Sequence, residues 1–189
     1  MNTLIAKALG ALYIKKCEYF HEKIRIGKGL KLYCKLEIMG NGSVYVGQNC
    51  TVSGIRGDSS QYVTIYTHSP KAVIKIGNNA SLFAARFSSK FSLTIGDDAL
   101  IEESGIADTD FHSLDTSRAE PVEESQKCRV NIGNRVSIGA KSQIGKGVTI
   151  GDDTVICPGS IIVKSVPSGV MVFGNPARFL NLANRDQTG

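Results

Sequence analysis

The chain has 189 residues, 42% hydrophobic and 21% charged, with a formal charge of +5. That length fits one domain with at most a small appendage. The basic excess is weak and its Lys and Arg are scattered, which argues against nucleic acid as a partner and leaves room for a small anionic ligand. Residues 1–22 read as an amphipathic helix packing on the start of the main domain: Leu4, Ile5, Ala8, Leu9, Ala11 and Leu12 are apolar, interrupted or closed by Lys7, Lys15 and Lys16. The run is too short to span a membrane and lacks a signal-peptide cleavage pattern, so no transmembrane segment is expected, only weak contact with a membrane surface as an alternative.

From residue 23 to 180 the chain repeats one unit, an apolar-polar-apolar triplet followed by a corner. Ile24-Arg25-Ile26-Gly27, Val44-Tyr45-Val46-Gly47, Ile74-Lys75-Ile76-Gly77 and Leu93-Thr94-Ile95-Gly96 are copies, and Leu30-Lys31-Leu32 and Cys50-Thr51-Val52 continue two of them. Ser53 to Pro70 is less regular and reads as including a loop. From Val130 onward the period is strict. Ile132, Ile138, Ile144, Ile150, Ile156 and Ile162 fall six residues apart, each preceded two positions earlier by an apolar or small residue. Side chains of a strand alternate faces, so the triplets point in, out and in. A strict short period of this kind predicts a parallel β-helix.

Counting in sixes from Ala99 gives strands Ala99-Leu100-Ile101, Gly105-Ile106-Ala107 and Phe111-His112-Ser113. The count turns Phe111 and Ser113 inward and His112 outward. The period then breaks over 114–129, a charged stretch expected to protrude as a loop, and long loops in compact repeat folds often carry function. An outward histidine beside a departing loop is a candidate general base, because its unperturbed pKa lies near working pH. The pattern loosens after Ile162, as in a final coil and its cap, and 181–189 reads as a polar tail.

Three segments together carry a resemblance: the repeats from Ile132 to Ile162, Ile162-Val163-Lys164-Ser165-Val166-Pro167, and Gly174-Asn175-Pro176-Ala177-Arg178. They resemble the hexapeptide-repeat acyltransferases. Asp108-Thr109-Asp110-Phe111-His112-Ser113 is similar to the catalytic-histidine segment of the branch that O-acetylates sugars and surface polysaccharides. The resemblance implies an all-β fold, a left-handed parallel β-helix of triangular section with a short N-terminal helix and one protruding loop. It also implies a homotrimer with active sites between subunits, acetyl-CoA as co-substrate and a saccharide hydroxyl as acceptor.

Carried onto this chain, the resemblance makes His112 the base and Arg86 a weaker acceptor contact; the nearby carboxylates Asp108, Asp110 and Asp115, or a backbone carbonyl, are the candidates to orient its ring. Asp108 and Asp110 also suit turn formation. Cofactor contacts are implied at Ala140, Pro158, Val163, Lys164 and Arg178. Pro158 departs from the pattern, since proline has no N–H to donate, and Ser160 is the nearby substitute. Related readings are an antibiotic O-acetyltransferase, an amino-sugar N-acetyltransferase and a non-catalytic β-solenoid scaffold. A metal enzyme on this fold would need clustered histidines. His21, His68 and His112 share no ligand spacing, so no metal is expected. Five cysteines, Cys17, Cys34, Cys50, Cys128 and Cys157, follow no disulfide framework and suit a reducing cytoplasm.

Overall fold

A computed structural model describes residues 2–55, 61–110 and 125–180. Helix α1 (Thr3–Phe20) opens the chain, with Asn2 as its N-cap, the side chain accepting the Leu4 amide at 3.1 Å. Strands β1 (Ile24–Ile26), β2 (Lys31–Leu32) and β3 (Leu36–Gly40) form the first coil. The second is β4 (Ser43–Val46), β5 (Thr51–Ser53) and β6 (Val63–Thr67), and the third is β7 (Val73–Ile76), β8 (Ser81–Phe83) and β9 (Arg86–Ser89). The fourth is β10 (Ser92–Ile95), β11 (Leu100–Glu102) and β12 (Gly105–Ala107). After a one-turn helix α2 (Ser125–Cys128) come the fifth, β13 (Val130–Ile132), β14 (Ser137–Ile138) and β15 (Gln143–Ile144), and the sixth, β16 (Thr149–Ile150), β17 (Val155–Ile156) and β18 (Ile161–Ile162).

Each coil contributes one strand to each of three parallel sheets, so the section is triangular. Inward residues stack in register along every face. On the first, Val46, Ile76, Ile95, Ile132 and Ile150 succeed one another; on the second, Leu32, Val52, Leu82, Ile101, Ile138 and Ile156; on the third, Ile65, Phe87, Ile106, Ile144 and Ile162. All are buried. Full burial of such a side chain contributes about 1.5–3 kcal/mol, and these stacked columns are the core.

The edge between the first and second faces is closed by a side-chain ladder. The amides of Gln48, Asn78, Asp97 and Asn134 donate to the side-chain oxygens of Asn78, Asp97, Asn134 and Asp152 on the next coil, at 2.6–2.9 Å. The residue after each rung turns with positive φ: Asn49, Asn79, Asp98, Arg135 and Asp153 all lie between 54° and 59°. Asn and Asp tolerate this left-handed conformation better than other non-glycine residues.

Both ends of the prism are covered. Helix α1 lies against β1 and β2, burying Ala6, Gly10 and Cys17. A Cβ at Gly10 would sit 1.9 Å from the Leu30 carbonyl oxygen, so only glycine permits this approach. At the other end β19 (Met171–Gly174) continues the second sheet, and β20 (Ala177–Leu180) folds back on it antiparallel through a cis Asn175–Pro176 bond. This hairpin ends the stack of unpaired strand edges.

Two expectations change, and one irregular stretch gains a strand. The irregular stretch Ser53 to Pro70 contains strand β6, a full member of the third sheet. Counting in sixes fails at the second corner of the fourth coil: Ile101 and Ile106 are both buried only five residues apart, because Glu103 turns with φ 35° and shortens the corner. Ile106 therefore points inward, and Gly105 and Ala107 outward. Finally, the place on the first sheet that the count assigns to Phe111-His112-Ser113 is held by Val130–Ile132, paired directly on β10. His112 and most of the expected 114–129 loop lie outside the described residues, as does the 181–189 tail.

Candidate active site

The third face carries the candidate site. Outward residues of β12 are small, Gly105 and Ala107, and their neighbours in register are Arg86 and Ser88 on β9 and Gln143 on β15. Small residues between longer ones make a trough, a cleft of about 430 Å³ walled by Arg86, Ser88, Glu103, Lys141 and Gln143. Arg86 and Lys141 are exposed and have no ion-pair partner among the described residues.

One rim is the edge between the second and third faces, where Ala84, Glu103, Lys141 and Gly159 of successive coils all turn with positive φ. Backbone bonds tie the column together: Glu103 to Phe83, Lys141 to Glu103 and Gly159 to Ala140. The Ala140 amide donates to nothing among the described residues, in contrast to the saturated Asn/Asp edge. One coil on, exposed Pro158 has no amide to offer, and its ring lies against Gly139.

The other rim is the edge between the third and first faces, from which the chain departs after Ala107. Asp108 is completely buried there. It accepts the Ser89 hydroxyl at 2.6 Å and the amides of Lys90 and Phe91 at 2.7 and 2.9 Å. Its carboxylate thus holds the corner of the coil below, which is the turn-forming role. Exposed Asp110 pairs with Lys146 of the next coil. Below them His68 Nε2 lies 2.7 Å from the Ser88 hydroxyl oxygen, with the Tyr66 ring edge-on at 4.2 Å. Burial lowers the His68 pKa, the Asp108 charge opposing and Lys90 assisting.

The expected residues thus separate. Ala140, Pro158 and Arg86 border the cleft or its rim. Val163 and Lys164 are exposed at the far edge of the sixth coil, and Arg178 is exposed on β20. Ser160 is a correction: it is fully buried inside the prism, its hydroxyl donating to the Cys157 carbonyl at 2.7 Å and accepting the Gly174 amide at 3.2 Å. It cannot also reach a ligand outside. Ser88, Lys141, Gln143 and His68 were missed. Outward phase marks Gln143 directly, between buried Ser142 and Ile144, and Ser88 once the short corner at Ala84 is counted, whereas His68 carries no signal in sequence. Among the described residues no three His, Cys, Asp or Glu side chains gather at metal-ligating range.

A family model described as bacterial transferase hexapeptide (six repeats) matches residues 129–164, the most regular coils of the prism. Those residues are hexapeptide repeats of the kind that model describes. This hexapeptide-repeat chain is 35% identical over 115 residues to the galactoside O-acetyltransferase of Escherichia coli K12, a match covering 59% of it and 55% of the relative. It therefore spans about half the length of that relative. Among solved structures, the polysialic acid O-acetyltransferase OatWY superposes with a TM-score of 0.67 at 21% identity, covering 84% of this chain and 73% of the other. A hexapeptide-repeat-containing acetyltransferase of Vibrio cholerae O1 biovar eltor, complexed with acetyl coenzyme A, superposes at 0.51 with 25% identity, covering 89% and 74%. The fold these likenesses carry is the left-handed β-helix.

Proposed function

We propose that the chain is an acetyl-CoA-dependent O-acetyltransferase acting on a sugar hydroxyl of a surface polysaccharide or its precursor, working as a homotrimer with sites between neighbouring subunits. The observation that carries the reading is the third-face cleft, with the Ala140 amide on one rim donating to nothing among the described residues and Asp110, two positions before His112 in sequence, on the other. Likeness to a galactoside O-acetyltransferase supports the acceptor class.

Acetyl-CoA supplies an acyl group activated as a thioester. His112 takes the acceptor hydroxyl proton as that oxygen attacks the thioester carbonyl, and returns it to the departing sulfur. The Ala140 amide suits stabilisation of the oxyanion. Arg86 and Lys141 bind the acceptor from the cleft walls. Val163, Lys164 and Arg178 are assigned to the cofactor's nucleotide end, where cations suit phosphates. Pro158 leaves the rim one donor short, and buried Ser160 does not replace it.

The test is an acceptor screen with acetyl-CoA and free-thiol detection, comparing wild type with His112→Ala. Loss of about two to four orders of magnitude in kcat is expected. A fall smaller than tenfold removes His112 as base, and no thiol release with any saccharide overturns the function. A light-scattering mass near three times 20.3 kDa checks the assembly.

A further inference from the structure

Helix α1 is apolar on two sides and uses only one. The side set by Ala6, Gly10 and Cys17, with Tyr13 and Ile14 beside it, packs on the prism. The opposite side presents Leu4, Ile5, Leu9, Leu12, Tyr19 and Phe20, between 43% and 83% exposed. Those are six of the twelve large apolar side chains exposed among the described residues. Such a concentration marks an interaction surface rather than scattered exposure. An apolar groove of about 420 Å³ continues it onto the first coil, lined by Leu9, Leu12, Tyr13, Leu32 and Leu36 with Lys16 at its rim.

The charges on the helix identify the occupant. On a helical projection Lys15 and Lys16 fall within the exposed apolar arc and Lys7 beyond it, against one acidic residue, Glu18. Lysine stems lie along apolar surface while their ammonium groups reach outward, and aromatic side chains such as Tyr19 favour the level of lipid headgroups. A second copy packed face to face by a two-fold axis would oppose Lys15 and Lys16 with themselves. We infer that the outer face of α1 is a peripheral docking surface for an anionic lipid bilayer, which fixes the N-terminal end of the prism to the membrane and leaves the third-face cleft open. The helix lies in the interface: it is not long and apolar enough to cross.

The experiment is co-sedimentation of the full chain with phosphatidylcholine vesicles, with and without about one third phosphatidylglycerol, at low and high salt. Wild type is expected to pellet with the anionic vesicles and to be released by salt. Leu9→Glu/Leu12→Glu should lower the bound-to-free ratio at least tenfold, and Lys15→Gln/Lys16→Gln by about tenfold. Both pairs are solvent-facing, so circular dichroism and thermal midpoint should match wild type. Wild type remaining in the supernatant overturns the inference. So does a change of oligomeric mass in Leu9→Glu/Leu12→Glu, which would make the face a contact between protomers. Thiol release on soluble saccharides is read separately and is unaffected by either outcome.

Discussion

Replacing Ile106 by Ala tests the register on which the whole site rests. Spacing in sixes places this side chain in solvent; the structure stacks it between Phe87 and Ile144 with 1% of its surface exposed. An outward Ile→Ala change in a strand costs less than about 0.5 kcal/mol. An inward one loses the transfer energy of the removed carbons and leaves a cavity, for a total of about 2–5 kcal/mol. Here the neighbours above and below are themselves locked in columns, so collapse into the gap is poor and a cost well above the bottom of the range, about 3–4 kcal/mol, is expected. With a urea slope of about 2–3 kcal/mol/M the unfolding midpoint falls by about 1–2 M. Gln143→Ala, one coil away and outward, serves as the control and should shift it by less than about 0.3 M. Equal small shifts for both variants would refute the five-residue corner, and with it the outward placement of Gly105 and Ala107 that creates the cleft.

Ser160→Ala should destabilise by about 1–3 kcal/mol, since it strips a partner from buried groups, while the KM for acetyl-CoA stays at the wild-type value; a raised KM with unchanged stability would return Ser160 to the cofactor site. Lys164→Ala and Arg178→Ala should each raise that KM about three- to tenfold with kcat preserved, as steady-state kinetics will show. For His68, burial depresses the folded-state pKa below its ordinary value of 6.5. Its neutral form therefore contributes stability that is present above the unfolded value and lost as pH falls through the folded one. The thermal midpoint of wild type should drop more between about pH 7 and pH 5 than that of His68→Gln, the difference being small because the ring is largely exposed. Identical pH profiles would dissociate His68 from acid sensitivity.

The core was legible because its chemistry is periodic. Ile24-Arg25-Ile26, Val44-Tyr45-Val46, Ile74-Lys75-Ile76 and the six isoleucines from Ile132 each state their inward and outward faces through residue type alone, and they lie as read. The corners were not legible, because backbone conformation sets them. Ala84 and Glu103 turn with positive φ although neither is a residue that advertises it, and each short corner shifts the alternation by one. The count that reaches His112 runs across Glu103, and His112 itself lies outside the described residues. Strand β6 was hidden because the irregular residues before it mask the start of Val63-Thr64-Ile65. Asp108 was ambiguous in sequence because an Asp at a corner and an Asp orienting a base look alike; only the three donors from Ser89, Lys90 and Phe91 separate them.

The three edges of the prism differ in how they satisfy their backbone, and that difference supports the proposed placement of the site. Along the first edge each corner amide from Gln48 to Asn134 is consumed by the side chain of the next coil, so the edge offers a ligand neither donors nor space. Repeats can propagate there because each rung needs the same Asn or Asp. Along the second edge, among the described residues, no such ladder forms and the Ala140 N–H has no acceptor, and the corner length changes from two residues to three between the fourth and fifth coils. Along the third edge Asp108 closes one corner, and the next strand on the first sheet is Val130–Ile132. Departures from local regularity cost stability and persist where something else requires them. Both irregular edges border the same face, the one whose middle strand carries only Gly105 and Ala107 outward. A substrate bound on that face as proposed would lie between the Ala140 corner on one side and the Asp108 corner on the other. Filling the face tests this directly: Ala107→Leu adds bulk where the side chain points to solvent, so folding should survive while acetyl transfer falls at least tenfold in a thiol-release assay. Full activity in a folded Ala107→Leu protein would place the reaction on another face.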